Sequence, residues 1–209
     1  MINKKIIFID WDRTLCWSRF WESLIKNDVR FSQEIDNFFM LEKELVKDWM
    51  IGKTTSEEIN KVISKRTGLS ESVLWNTFVS GCKNMIVDPE IIDLIKKLRK
   101  KYFLVLITGN MDCFTRFTVP SLRLKKIFDL IINSADIGYL KDDRNGKAFV
   151  DCLSLFNIDS MNNSYLLDDS EKACNMFNQL GGKVLIINDK KDTIKYLKML
   201  LDSDLTTTQ

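Results

Sequence analysis

The sequence predicts an α/β protein in which a parallel sheet lies between helices and an all-helical domain is inserted after the first strand. Short apolar runs alternate with segments of helical periodicity, which is typical of a parallel sheet with right-handed crossovers. Polar residues follow most of these runs directly. A block from 17 to 87 with helical periodicity alone separates the first apolar run from the second.

The composition narrows the possible functions of the 209-residue chain. Its 45% hydrophobic and 29% charged residues are ordinary for a globular protein. The net charge of +2 gives no reason to expect a nucleic-acid partner, and the basic cluster at 96–101 has the spacing of a solvated helix face. The sequence contains no histidine, which excludes serine–histidine and cysteine–histidine chemistry and histidine-bound zinc.

The cysteines and the apolar segments indicate the cellular setting. Five cysteines without a CxxC pair are typical of reduced thiols that pack in a protein interior. No apolar stretch approaches the length of a membrane span, and the N-terminal segment has no signal-peptide pattern. We therefore expect a cytoplasmic protein with no membrane partner.

Five short apolar runs are the predicted strands, and none alternates with polar residues. A run of this kind is typical of a strand that is buried on both faces, as in a parallel sheet. The runs are residues 5–9, 103–107, 129–133, 165–167 and 184–187.

Helix signals divide the block between the first two strands. Gly52 predicts the end of a helix, and Thr55 with Glu58 forms a capping-box pattern that begins the next one. Gly68 predicts the end of that helix.

These signals predict two domains with boundaries close to the first and second strands. Residues 1–16 and 88–209 form the sheet-containing core, and residues 17–87 form a helical cap. Pro89 suits the first turn of the helix that returns the chain to the core.

Two aspartates, Asp10 and Asp12, follow the first strand. If the strand continues through Asp12, both side chains point to the same side of the sheet. Neighbouring carboxylates repel each other unless a cation or a proton lies between them. An acidic turn that caps the next helix is the alternative interpretation of the same pair.

Further polar residues follow the other predicted strands. Because the carboxyl ends of parallel strands share one edge, we expect these residues to converge with the first pair. Individually, the threonine is also typical of a helix cap, the lysine of a surface residue and the second aspartate pair of a helix start. The residues are Thr108, Gly109 and Asn110 after the second strand, Lys141 after the third, and Asp168 and Asp169 after the fourth.

Together these residues have the chemistry of a phosphate site. Carboxylates such as Asp10 and Asp168 are suited to Mg²⁺ that retains water ligands. Thr108 offers a hydroxyl and neighbouring backbone N–H groups to an anion, and Lys141 offers a positive charge. Such groups neutralise phosphoryl oxygens while a carboxylate attacks phosphorus in line.

The ordered set resembles the haloacid dehalogenase-like (HAD) hydrolase superfamily, in the subclass with a helical cap after the first motif. That resemblance implies a three-layer, Rossmann-like core. It spans nearly the whole chain to about residue 190. The matching motifs are Asp10-x-Asp12-x-Thr14, Thr108-Gly109-Asn110, Lys141 and Asp168-Asp169, together with the segment 134–141 and Trp49-x-x-Gly52 ahead of Glu57-Glu58.

The resemblance implies a Mg²⁺-dependent phosphatase that hydrolyses a small phosphorylated metabolite through an aspartyl-phosphate. In this interpretation Asp10 is the nucleophile, and Asp12 protonates the leaving group and then activates water. The presence of Asp12 favours phosphoryl chemistry over dehalogenation. Thr108, Gly109 and Asn110 bind the phosphoryl oxygens, and Lys141 offsets their charge. Mg²⁺ takes Asp10, the Asp12 carbonyl and one or both of Asp168 and Asp169, with Asp169 preferred as the direct ligand.

The chain departs from the family pattern at two places. Arg13 stands where the family usually has glycine, so its side chain either reaches the phosphate or the cap, or crowds the turn. Asp142 and Asp143 replace the usual proline after Lys141, and Lys147 is the alternative lysine. These departures keep two alternatives open: a phosphotransferase or phosphomutase, and a non-catalytic protein that binds phosphate and Mg²⁺.

The residues after the first motif are candidates for contact with the substrate. Arg13, Trp17 and Arg19 are the candidates from the cap and its linker. For the aromatic residues Trp17, Phe20 and Trp21, packing in a hydrophobic core is the favoured interpretation and a place in a pocket the alternative.

Overall fold

A five-stranded parallel sheet forms the centre of the molecule in the computed structural model, which describes residues 4–202. The strand order is β3-β2-β1-β4-β5, so β1 is the central strand and lies between β2 and β4. The strands are β1 (Lys5–Ile9), β2 (Tyr102–Thr108), β3 (Leu130–Asn133), β4 (Tyr165–Asp168) and β5 (Lys183–Ile186). The predicted fold class and all five predicted strands are confirmed, with ends that agree to within one residue.

Eleven helices accompany the sheet in the described part of the chain. They are α1 (Glu22–Asn27), α2 (Val29–Leu41), α3 (Lys43–Met50), α4 (Ser56–Thr67), α5 (Glu71–Lys83), α6 (Pro89–Leu98), α7 (Val119–Ser121), α8 (Ser134–Ile137), α9 (Lys147–Leu155), α10 (Glu171–Gln179) and α11 (Lys190–Asp202). Shorter helical turns occupy Phe114–Thr118, Leu124–Lys126, Arg144–Gly146 and Met161–Asn163.

The sheet is covered on both faces, as its apolar strands require. Along β1, Ile7 and Ile9 pack into one cluster with residues of α6 and α11, whereas Ile6 and Phe8 pack into another with α9 and α10. This alternation follows from the two-residue period of a strand. The result is a three-layer core.

Helices α1–α5, which we call the helical insert, lie between β1 and β2 and have a hydrophobic cluster of their own. The predicted capping box of Thr55 and Glu58 begins α4, and Gly68 ends that helix with a φ of 71°. The break between α2 and α3 at Glu42 was not predicted. The two segments that join the insert to the core run side by side, since Cys16 forms an antiparallel bridge with Val87.

That bridge supports the proposed domain boundaries, with a core of 1–16 and 88–209 and a cap of 17–87. Residues 1–3 and 203–209 of the proposed core lie outside the described residues.

The cysteines pack in the protein interior, as expected from the sequence. All five cysteines are buried and form no disulfide. None of the helices in residues 4–202 is both long and apolar enough to cross a membrane.

Candidate active site

A buried ion-pair cluster lies at the carboxyl edge of the sheet, where β1 and β4 end side by side. The Lys141 ammonium is 3.0 Å from Asp10 Oδ1 and 2.6 Å from Asp168 Oδ2, and all three residues are buried. Burial opposes the charge of Lys141, but the two carboxylates outweigh it and hold the pKa of Lys141 above its ordinary value. The lysine therefore remains an ammonium that is shared by two strand ends.

The carboxylates of Asp10, Asp168 and Asp169 converge on one point. One carboxylate oxygen from each lies within 4.8 Å of the others. Asp168 is already engaged, because it contacts Lys141 and its Oδ1 accepts a 2.9 Å hydrogen bond from the Ser170 backbone N–H. Asp169 is half-buried, and burial, followed by the charge of Asp10, raises its pKa. The set offers hard oxygen donors to a divalent cation.

Asp12 does not lie on the strand, which corrects one step of the sequence argument. Strand β1 ends at Ile9, and although the Asp10 N–H still bonds to Leu167 of β4 at 2.9 Å, the chain turns at once. Strand alternation therefore does not align Asp10 with Asp12. The turn brings the Asp12 side chain to the floor of a cavity, where partial desolvation and then the charges of Asp10 and Asp169 raise its pKa to about 6.

The turn also explains why Arg13 is an unusual residue at its position. Its φ of 53° lies in the left-handed region, which glycine adopts without strain and other residues adopt at a cost. The side chain is exposed and lines the cavity beside Asp12. Among residues 4–202 no ion-pair partner is found for it.

Thr108, the last residue of β2, and the two residues after it lie at the same edge of the sheet. The Thr108 hydroxyl is buried and has no hydrogen-bond partner in the described chain. Asn110 Oδ1 accepts a 2.8 Å bond from the Met111 N–H, which directs the amide NH₂ group away from that bond. Gly109 is approached closely by the insert, since a Cβ atom there would lie 3.1 Å from Met50 Cε.

The loop after β3 places Lys141 at the site without the expected proline. The Asp143 carboxylate accepts a 3.1 Å bond from the Leu140 N–H, and its own N–H bonds back to the Leu140 carbonyl at 3.0 Å. These two bonds close the turn that holds Lys141 inward. Lys147 instead pairs with Asp151 on the surface at 2.7 Å, so the structure places it outside the site.

A cavity of about 720 Å³ lies between the insert and the carboxyl edge of the sheet. Its floor includes Asp12, Arg13 and Asn110. Trp17 lines the cavity and is 38% exposed. The prediction that Trp17 packs in a hydrophobic core was therefore wrong. Arg19 also lines the cavity and pairs with Asp36 at 2.5 Å.

The other two aromatic residues of this segment differ in their positions. Phe20 lines the cavity while packing against the core of the insert. Trp21 is fully buried, as expected, and its indole N–H donates to the Leu74 carbonyl at 3.2 Å.

Two residues to which the sequence assigned no such role tie the insert to the core beside this cavity. Asp112 Oδ1 accepts hydrogen bonds from the Trp49 indole at 3.0 Å and from the Ser56 N–H at 3.1 Å. The Ser134 hydroxyl donates to the carbonyl oxygen of Met50 in the insert. The only sequence signal for Asp112 was its place shortly after a predicted strand, whereas Ser134 begins the segment 134–141 that resembles the HAD family.

Arg116 extends the Asp112 contact to a second residue of the insert. It bonds to Asp112 at 2.6 Å and forms a two-pronged ion pair with Glu57, at 2.9 and 2.6 Å. These contacts connect the turn after β2 with the start of α4.

The architecture and the site define a class: an α/β protein with a carboxylate–lysine cluster at the carboxyl edge of its sheet, under a helical insert. No protein-family model matches the chain, and no curated protein sequence does. Solved structures do match. A HAD family enzyme from Bacteroides thetaiotaomicron has a TM-score of 0.68 at 19% identity, over 90% of this chain and 96% of that one.

Two further structures extend the comparison. A predicted HAD-like family hydrolase from Porphyromonas gingivalis has a TM-score of 0.67 at 17% identity, over 95% of this chain and 98% of the other. The L-2-haloacid dehalogenase from Xanthobacter autotrophicus, with chloropropionic acid covalently bound, has a TM-score of 0.61 at 12% identity, over 87% and 76%. The chain therefore has the fold of HAD-like hydrolases, which confirms the fold that the sequence resemblance implied.

Proposed function

We propose that the protein is a HAD-like phosphatase that requires Mg²⁺ and hydrolyses a small phosphorylated metabolite through an aspartyl-phosphate on Asp10. The observation that carries the proposal is the convergence of Asp10, Asp168 and Asp169 within 4.8 Å, beside the buried Lys141. The Bacteroides HAD family enzyme offers a precedent, since it has been solved in complex with magnesium and inorganic phosphate, at 20% identity to this chain and a TM-score of 0.65.

The charge of the site fits a divalent cation. Asp10, Asp12, Asp168 and Asp169 bring four carboxylates together, and Lys141 and Arg13 are the cations closest to them. Two negative charges therefore remain to be balanced when all four carboxylates are ionised. This balance and the hard oxygen donors both suit Mg²⁺.

The proposed roles of the carboxylates differ because their hydrogen bonds differ. Asp10 and Asp169, with the backbone carbonyl of Asp12, would hold the ion directly, since the Asp168 carboxylate is already held by Lys141 and Ser170. When bound, Mg²⁺ supplies charge stabilisation to the phosphoryl oxygens. Asp168 would fix Lys141 next to Asp10.

The first chemical step forms a bond between an Asp10 carboxylate oxygen and phosphorus while the bond from phosphorus to the ester oxygen breaks. Asp12 donates a proton to the departing oxygen, so an alcohol leaves. Lys141, 3.0 Å from Asp10 Oδ1, is placed to offset negative charge on the phosphoryl group. The buried Thr108 hydroxyl, the backbone at Gly109 and the Asn110 amide would bind the remaining phosphoryl oxygens.

In the second step water attacks phosphorus and Asp12 accepts its proton, which releases phosphate and restores Asp10. The helical insert acts as the cap and limits the access of bulk water to the cavity. The position of Asp12 on the cavity floor favours phosphoryl transfer over dehalogenation, because a second acid is needed to protonate an alkoxide but not a halide.

The test measures phosphate release from p-nitrophenyl phosphate and from a panel of small phosphate monoesters, with and without Mg²⁺. We expect turnover that requires Mg²⁺ and is abolished by Asp10→Asn, because an amide does not replace the nucleophilic carboxylate. Asp12→Asn should lower kcat by about 10²–10⁴-fold, the usual contribution of a general acid or base. Asp93→Asn, on the exposed surface of α6, is the matched control and should leave the rate unchanged.

Other outcomes separate the alternatives. Release of the substrate alcohol only when an acceptor alcohol is added, with the phosphoryl group recovered on that acceptor and not as free phosphate, would identify a phosphotransferase or phosphomutase. Chloride release from 2-chloropropionate without any phosphate release would identify a dehalogenase. If no substrate is consumed while calorimetry detects Mg²⁺ binding, the enzyme proposal fails and a regulatory binding protein takes its place.

A further inference from the structure

The cavity above the candidate active site has walls that are mainly apolar. Nine of its sixteen lining residues are aromatic or aliphatic, among them Trp17, Phe39 and Val46. Its volume of about 720 Å³ lies in the range of small-molecule sites and is larger than a phosphate ion needs. The volume beyond that of the phosphate is available to the alcohol part of the substrate.

The polar groups on the walls are engaged with each other or with the backbone. Arg19 pairs with Asp36 at 2.5 Å, and with 47% and 60% of their side chains exposed the two charges contact each other and solvent. The Ser18 hydroxyl accepts a 3.0 Å bond from the Ile86 N–H. The remaining polar residues, Asp12, Arg13 and the Gly109–Asn110 pair, belong to the floor at the phosphate end. Apart from the exposed Arg19–Asp36 pair and Ser18, the leaving-group end of the cavity therefore offers few partners to hydroxyl or charged groups.

We propose that the substrate is a phosphate monoester whose alcohol part is predominantly apolar, an aryl or alkyl group with few hydroxyls and no second charge. This inference rests on the proposed phosphatase function and names its substrate class. A polyhydroxylated sugar would lose its hydrogen bonds to water on entering this cavity without gaining replacements. An apolar group gains from leaving water and from contact with the aromatic walls.

The first experiment compares esters with similar chemical reactivity. 2-Phenylethyl phosphate, sn-glycerol 3-phosphate and glucose 6-phosphate are all esters of primary alcohols, so differences in kcat/KM report recognition by the cavity. We expect kcat/KM to be at least about tenfold higher for 2-phenylethyl phosphate. A second readout needs no turnover: calorimetry on the Mg²⁺-loaded protein should show tighter binding of 2-phenylethylphosphonate than of 3,4-dihydroxybutylphosphonate.

Matched variants locate the effect in the cavity. Val46→Thr keeps the side-chain shape but places a hydroxyl in the wall, and should weaken phenylethylphosphonate binding about fivefold without changing the affinity for inorganic phosphate. Val73→Thr makes the same change on the exposed surface of α5 and should change neither value. Phe39→Ala removes a wall aromatic and should weaken phosphonate binding at least as much as Val46→Thr.

The two proposals fail in distinguishable ways. Faster hydrolysis of glycerol 3-phosphate or glucose 6-phosphate would overturn the substrate class and leave the phosphatase function intact. Absence of hydrolysis of every ester would overturn the phosphatase function, and the phosphonate pair would then decide the substrate class alone. Equal binding of the two phosphonates, or an equal effect of Val46→Thr and Val73→Thr, would contradict the apolar cavity.

Discussion

Replacing Arg13 by glycine should raise the free energy of unfolding of the protein and at the same time lower its affinity for phosphate. The φ of 53° at Arg13 costs a residue with a Cβ atom about 1–2 kcal/mol. Glycine removes that cost but gains unfolded-state freedom worth roughly 0.5–1 kcal/mol. The free energy of unfolding should therefore rise by about 0.5–1 kcal/mol, which corresponds to roughly 1–4 °C in Tm for a chain of this length.

Arg123 provides a matched control for the backbone effect. It has the same φ of 53°, is exposed and lies away from the candidate active site. Arg123→Gly should give the full rise in the free energy of unfolding and should leave kcat and KM unchanged. Arg13→Gly should gain less in the absence of Mg²⁺, because it also removes a positive charge that faces Asp12 and Asp169.

The assay pairs thermal unfolding with a binding measurement. Both variants are melted with and without Mg²⁺, and the dissociation constant of inorganic phosphate is measured by calorimetry. We expect Arg13→Gly to weaken phosphate binding by roughly fivefold, about 1 kcal/mol for a partly exposed charge contact. The reasoning is refuted if both glycine variants are less stable than the original chain, or if phosphate affinity falls equally in both.

Three other substitutions test separate parts of the structure. Lys141→Met should lower the free energy of unfolding by about 3–5 kcal/mol in chemical denaturation, because it leaves two buried carboxylates without their cation; added Mg²⁺ should recover part of this loss. Gly52→Ala should cost about 1–3 kcal/mol more than Gly68→Ala. Both glycines have a positive φ, but only the first would place a Cβ atom 2.3 Å from a core carbonyl oxygen; equal unfolding midpoints would contradict this contact. Glu57→Gln should remove an acid-sensitive contribution to stability of less than about 1 kcal/mol, since the side chain is 45% exposed. Because Arg116 holds the pKa of Glu57 below its ordinary value, that contribution is present above the unfolded-state pKa and is lost as the pH falls through the folded-state pKa. Denaturation midpoints at pH 6 and pH 3 check this, and a variant that loses as much stability on acidification as the original chain would contradict it.

The sheet was predictable because its strands are short apolar runs that no other local structure explains. For β1, the predicted residues 5–9 are those observed. The convergence of Asp10, Lys141 and Asp168 was also predictable, since parallel strands bring their carboxyl ends to one edge. The chemistry assigned to those residues stays a prediction until the kinetic tests are made.

Other features depend on information that local sequence does not carry. Arginine itself gives no signal for a left-handed backbone, so only the glycine usual at this position in the resembling family pointed to the turn at Arg13. The role of Asp112 depends on Trp49 and Ser56, which lie 63 and 56 residues earlier in the chain. The position of Trp17 in the cavity depends on how the insert lies over the sheet, which helical periodicity does not determine.

The contacts of Asp112 and Ser134 give the helical insert a closed resting state. Three hydrogen bonds, from Trp49 and Ser56 to Asp112 and from Ser134 to the carbonyl of Met50, must break before the insert swings away about the paired segments at Cys16 and Val87, and so must the ion pair of Arg116 with Glu57. At about 1 kcal/mol each, the three hydrogen bonds alone favour the closed arrangement roughly a hundredfold. In the proposed phosphatase, entry of a substrate and departure of its alcohol would then depend on a rare opening, so the rate of turnover would be set by these contacts as well as by the carboxylates.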